Sequence, residues 1–217
     1  GPNRVFLTYI EQVLPSLGEA GVRLAVLTDL IPRVKVRGYD SENIAAIKGS
    51  NKMELVVRNA IHDRQRPIRD NLRIGYGLQR LSLTVSQTQQ IINEAQRRFR
   101  NHNSARQFVR DQIFHKLALS SKHQLIDPEK LQNDLASALL IRETLEWMWP
   151  SLNAEHLIHD LFGSRALLRS AAGNHLTNDE IAALYRPRSS HATKVDWTSE
   201  DVPILDEAQA QLGPRAG

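Results

Sequence analysis

The sequence predicts a mostly α protein: a helical block carrying one β-hairpin, flanked at both ends by short pieces of α/β character. Three observations predict it. Apolar residues recur at three- and four-residue spacing behind capping residues through most of the chain. Residues 72–84, "LRIGYGLQRLSLT", hold two alternating runs broken near Gly75 and Gly77, which is a hairpin pattern. Two short apolar runs, "VRLAVLT" at 22–28 and "VPILDEAQ" at 202–209, suit buried strands near either end.

Taken in order, Asn3 caps a helix whose Val5, Phe6, Tyr9, Ile10, Val13, Leu14 and Leu17 share a face before Gly18. The strand at 22–28 follows, and helix-then-strand is half of a βαβ unit. From about Asp40 the character turns helical. Ser41 to Lys48 reads as a short helix, and "NKMELVVRNAIHDRQ" follows it with Asn51 and Glu54 at capping-box spacing. After the hairpin, Ser86 opens "QTQQIINEAQRRF", and "ARQFVRDQIFHKLAL" continues as helix. Asp127-Pro128 pairs a capping residue with a first-turn proline and opens a long helical stretch that ends at Pro150. Asn153, Ser164 and Thr177 each begin a further short helix. The Ser/Pro/Arg-rich "YRPRSSHAT", 185–193, reads as a linker. These shifts divide the chain into 1–39, 40–193 and 194–217, a helical segment inserted into an α/β one, so that the two flanks are expected to be neighbours in space.

Composition narrows the chemistry. The chain has 217 residues, 41% of them apolar, enough for a substantial core. The absence of cysteine excludes disulfides and thiolate metal sites. No apolar run reaches the roughly 18–20 residues that span a bilayer, and a cytosolic, monomeric protein with no membrane partner is expected. The net charge of +4 is too small to demand a nucleic-acid partner. Charge is nonetheless segregated: between Arg64 and Asp111, ten arginines face Asp70, Glu94 and Asp111, a net of +7.

Two groups of residues stand out. If "VPILDEAQ" is a parallel strand, Asp206 and Glu207 lie at its carboxyl end, where α/β sheets bind ligands. Asp206 is then a hard-oxygen ligand for magnesium, and Glu207 orients an attacking water. Read blandly, "ILDEAQAQLG" is the start of an amphipathic helix with surface acids. "RRFR", 97–100, sets an aromatic among arginines. With Arg106 and Arg110, Arg97, Arg98 and Arg100 suit phosphates or an acidic partner surface. The plainer alternative is a solvated helix face with Phe99 in the core. His156 and His159 sit three apart on a helix, a chelating spacing that surface histidines also show. Trp147, Trp149 and Trp197 read as packing anchors. No Gly-rich phosphate loop ending in Lys-Ser/Thr occurs in the 217 residues, so the chain by itself is expected neither to hold nor to hydrolyse ATP.

At the two ends, "GPNRVFLTYIEQVLPSLGE", 1–19, and "VDWTSEDVPILDEAQAQLG", 195–213, resemble the HelD family of RNA-polymerase-associated ATPases, relatives of the UvrD/Rep superfamily-one helicases. The first resembles the segment that follows the family's phosphate loop, and the second its second nucleotide motif. The resemblance implies that 1–39 and 194–217 are pieces of an incomplete RecA-like lobe. It also implies that 40–193 lies where the actinobacterial branch carries a helical clamp-opening insertion. It makes Gly1-Pro2 native rather than a protease scar. In a full-length protein it implies ATP and magnesium, with Asp206 and Gln209 at the nucleotide and metal and Glu207 as the water-activating acid. Relatives often follow the motif's glutamine with aspartate, where this chain has Ala210. The implied partner is core RNA polymerase at its clamp, with stalled enzyme released from nucleic acid and, for some members, transcription protected against rifampicin. The competing expectations are an accessory domain of a DNA-translocating superfamily-one helicase, and a helical scaffold in which "LDEAQ" is coincidence.

Overall fold

A computed structural model describes residues 34–122, 125–189, 191–192 and 195–215. The expected helix over 3–17, the strand over 22–28 and the N-terminal half of the resemblance lie outside the described residues. Within them the fold is mostly α, with ten α-helices, one antiparallel hairpin and one short parallel strand pair.

The chain enters through strand β1 (Val36–Gly38) and helix α1 (Glu42–Lys48), one residue shorter than the expected 41–48 because Ser41 is extended at the N-cap position. Helix α2 (Lys52–His62) follows, but its capping box does not form. Asn51 already has helical backbone (φ −59°, ψ −16°), because Met53 N–H closes a turn onto Ser50 O, and its side chain makes no cap bond. The hairpin is β2 (Leu72–Tyr76) and β3 (Gln79–Leu83), with Gly75 inside β2 opposite Arg80. Gly77 at φ +59° opens a two-residue turn, and Leu78 at its tip is fully exposed. Helix α3 (Val85–Arg98) starts one residue before Ser86, its expected opening, because Thr84 caps it. Thr84 and Gln87 form a reciprocal capping box. Helix α4 (His102–Leu119) is the longest, at 18 residues.

The long helix expected from Asp127 to Pro150 is two helices, α5 (Pro128–Leu135) and α6 (Leu139–Met148), with Ala138 extended between them. Packing explains the break. On one unbroken helix Leu131 and Ile141 would point about 80° apart; re-phasing the chain lets Leu131, Ile141, Leu145 and Met148 all enter one core. Helices α7 (Ala154–Phe162), α8 (Arg165–Ala172) and α9 (Asn178–Leu184) begin at Asn153, Ser164 and Thr177, and each cap side chain accepts the expected backbone N–H. The first five residues of the stretch read as a linker, 185–189, are loop, but a docked one. Arg186 N–H bonds Phe162 O, and the Arg186 and Arg188 side chains pair with Asp201 and Asp160.

The expected strand over 202–209 is a helix. Strand β4 (Trp197–Thr198) and a 3₁₀ turn (Ser199–Asp201) lead into α10 (Val202–Leu212). Pro203 sits in the first turn, where its missing N–H costs nothing. Val202, Ile204, Leu205, Ala208 and Leu212 are buried at helical spacing, a periodicity no strand could bury on one face.

β1 and β4 pair in parallel, Val36 against Trp197 and Gly38 against Thr198. The chain thus leaves and re-enters at adjacent points with nearly 160 residues between. Its apolar interior is two cores. One draws on Val34 to Ile61 and again on Ala154 to Leu212; the other is built wholly from Ile68 to Trp149. The second unit is therefore nested within the first, with chain crossings at 62–67 and 149–153.

Candidate functional site

Where the two cores meet, the first turn of α4 is pinned by three consecutive side chains. Asn101 Nδ2 donates to Ala210 O at 2.5 Å. Asn103, 3% exposed, donates to Leu152 O and Gly213 O at 3.0 Å each and accepts Leu152 N–H at 3.2 Å. His102 stacks on Trp149, ring centroids 4.9 Å apart and nearly parallel, and Trp149 Nε1–H returns a bond to His102 O. Pro150 O can only accept, so His102 donates to it from Nε2 at 2.7 Å, and Nδ1 accepts from Gln65 at 3.0 Å. Burial, opposed by the Pro150 bond and aided by Arg106, pushes the His102 pKa down to about 4, so the ring is neutral at physiological pH.

Beside this junction opens a cavity of about 690 Å³, lined from one side by Arg58, His62 and Glu207 and from the other by Arg97, Arg98 and Arg100. Arg58 is paired with Glu54 at 2.5 Å and Arg98 with Glu94 at 2.6 Å. Arg97 bonds only a backbone oxygen, Asn93 O, and among the described residues neither it nor Arg100 has a carboxylate partner. The five arginines singled out in the sequence therefore separate. Arg97, Arg98 and Arg100 share the cleft, whereas Arg106 is committed to Trp149 O and Glu146, and Arg110 sits half-buried beside Gln107 and Asp111.

The acidic pair has a different geometry from the one expected. Neighbouring residues on a helix diverge by about 100°, so Asp206 is exposed on α10 while Glu207 turns into the cleft and accepts from Gln211 at 2.6 Å. Gln209 is exposed. The two carboxylates do not converge, and among the described residues no group of three His, Asp or Glu side chains is arranged to hold a metal ion. Of the pair, the exposed Asp206 would be the carboxylate available to a magnesium ion, with phosphate and water completing its shell. His156 is exposed, and His159 faces Ser189, its Nε2 3.1 Å from the hydroxyl. Trp149 and Trp197 are buried as anchors, and Trp147 lies against the Arg66 and Arg69 guanidinia at 3.9 and 4.0 Å.

Sequence reasoning missed the most buried charges in the described structure. Lys48 and Asp201, 6% and 0% exposed, meet at 2.7 Å. Asp40 lies 2.5 Å from Lys48 Nζ and accepts from Thr198 Oγ1 at 2.6 Å; Arg186 reaches the second Asp201 oxygen at 2.7 Å. Two cations and two anions form a neutral knot directly under the β1–β4 pair. Burial alone would raise the Asp201 pKa, but Arg186 and then Lys48 outweigh it, and the carboxyl is held below its usual range. Lys48 and Asp201 stand 153 residues apart in sequence, and no local pattern links them.

No protein-family model matches the chain, and no curated protein matches it significantly. Among the described residues no helix is long and apolar enough to cross a membrane.

Proposed function

We propose that this chain is the helical, partner-binding segment of a HelD-like, RNA-polymerase-associated ATPase. In this reading it is a lever that engages the polymerase clamp so that stalled enzyme lets go of nucleic acid. The observation that supports it best is the parallel β1–β4 pair: a large helical body departs from and returns to one spot, as an insertion carried by another lobe must. Two further features suit a lever. The knot of Lys48, Asp40, Asp201 and Arg186 fastens the departing and returning strands together. Helix α4, about 27 Å long at 1.5 Å per residue, runs from the junction to the hairpin, where Ser120 and Ser121 bond Ser82 and Gln79. That places the exposed Leu78 at the end remote from the junction. ATP and magnesium belong to the longer protein of this proposal. The divergence of Asp206 and Glu207 means other residues would have to complete any such site.

The test uses the 217-residue chain immobilised against core RNA polymerase. Saturable retention at micromolar concentrations is the expected result. No retention at that concentration would reject the reading.

A further inference from the structure

The cleft between the two cores has properties the lever does not need. Arginines approach it from three elements, α2, α3 and the 99–101 connection into α4. A single solvated helix face would carry them all on one helix. Here Arg97 and Arg100 face a cavity without a carboxylate partner among the described residues, and Glu54 and Glu207 on the opposite wall leave the lining net positive. Phe99, between them, lines the cleft and is half-buried against the inner core, its ring 5.5 Å from Phe108. Gln96 and Gln211 also line it; their amide nitrogens are engaged by Gln65, Glu54 and Glu207, which leaves their amide oxygens as acceptors.

We propose that this cleft binds single-stranded nucleic acid. The chemistry is one cation per phosphate along the strand, an aromatic ring for one base to stack on, and amide oxygens for the donors of unpaired base edges. Exposure argues for a strand rather than a free nucleotide. Arg97, Arg98 and Arg100 are all exposed at the cleft's rim, where an extended polyanion can reach them, whereas a nucleotide pocket encloses its ligand. A duplex hides the base edges that the amide oxygens would meet. The inference is independent of polymerase binding, since it concerns the junction and not the hairpin end.

The test is fluorescence anisotropy of the 217-residue chain with labelled oligothymidylate and oligouridylate of about twelve nucleotides. Micromolar binding is expected at about 50 mM salt, with a log–log salt slope near −2 for about three phosphate contacts. Arg97→Ala/Arg100→Ala should weaken it at least tenfold. Arg73→Ala/Arg80→Ala, which removes the same charge from the exposed hairpin, should change it less than twofold. Absence of saturable binding at low salt overturns the proposal. So does equal loss in the two double variants, equal affinity for a duplex of the same length, or displacement of the strand by an equimolar nucleoside triphosphate.

Discussion

Replacing Lys48 by Met probes the knot beneath the paired strands with little change in volume. The side chain of Lys48 is 4% exposed and that of Asp201 0%, so neither charge has water to fall back on. Breaking a buried pair typically costs about 3–5 kcal/mol, chiefly because the surviving charge is stranded. Neither anion is wholly stranded: Arg186 still holds the second Asp201 oxygen at 2.7 Å and Thr198 N–H donates to it at 3.0 Å, while the partly exposed Asp40 keeps the Thr198 hydroxyl at 2.6 Å. The lower end, about 3 kcal/mol, is therefore the expectation for Lys48→Met. In urea unfolding followed by circular dichroism, with a slope of roughly 2 kcal/mol/M, that lowers the midpoint by about 1.5 M. Asp201→Asn should cost at least as much, because it strips Lys48 and Arg186 of their shared anion together. The double variant should cost less than the sum of the two by more than about 1 kcal/mol, the mark of groups in one network. Two single variants each within about 0.5 kcal/mol of the parent would refute the idea that these charges fasten the flanks.

Three further outcomes are expected. His102 stays neutral in the folded protein down to about pH 4, while the unfolded chain's histidine takes up a proton near pH 6.5. Between those values the unfolded state binds more protons, so stability falls as pH falls from 7 to 4, by about 3 kcal/mol from this residue; His102→Gln should be less stable at pH 7 but lose correspondingly less on acidification in parallel urea titrations. Gly213 has φ +70° and ψ 178°, and an added Cβ would lie 2.7 Å from Asn101 Cβ, so Gly213→Ala should lower stability by about 2–3 kcal/mol in the same assay. Leu78→Asp should leave the unfolding midpoint unchanged, because the side chain is fully exposed, yet weaken polymerase retention about tenfold if the hairpin tip makes contact.

Local chemistry was legible in the sequence, and long-range chemistry was not. Asn153, Ser164 and Thr177 cap helices in the structure because a cap needs only its own next three residues. The hairpin followed from alternation and Gly77 for the same reason. Residues 136–138 gave no sign of a break, since "ASA" holds neither Gly nor Pro; the need to aim Leu131 and Ile141 into one core makes it. In "VPILDEAQAQL" the first four residues fit strand or helix, and only the burial of Ala208 and Leu212 decides for helix. Among the arginines, composition marked the basic stretch, but only the fold separates cleft-lining Arg97 and Arg100 from Arg106, which holds Trp149 O and Glu146.

The nested arrangement also sets how the molecule can transmit force. The outer and inner cores are joined by two chain crossings and by the Asn101–Asn103 pins, and all of these meet at the first turn of α4. Load applied at the hairpin therefore travels along one helix into buried hydrogen bonds rather than into a flexible tether. At the other end it reaches α10 and the glycine that caps it, where the Ala210 and Gly213 carbonyls receive the pins, and then the knot of Asp201 with Lys48 beside β1 and β4. The cleft lies against the same first turn of α4. A strand bound there would contact α2 and α10 on one side and α3 on the other, and so would resist any rotation of the inner unit against the outer. In the proposed lever, a ligand across the cleft would stiffen the junction, and by reciprocity a factor that stiffens the junction would tighten that ligand's binding.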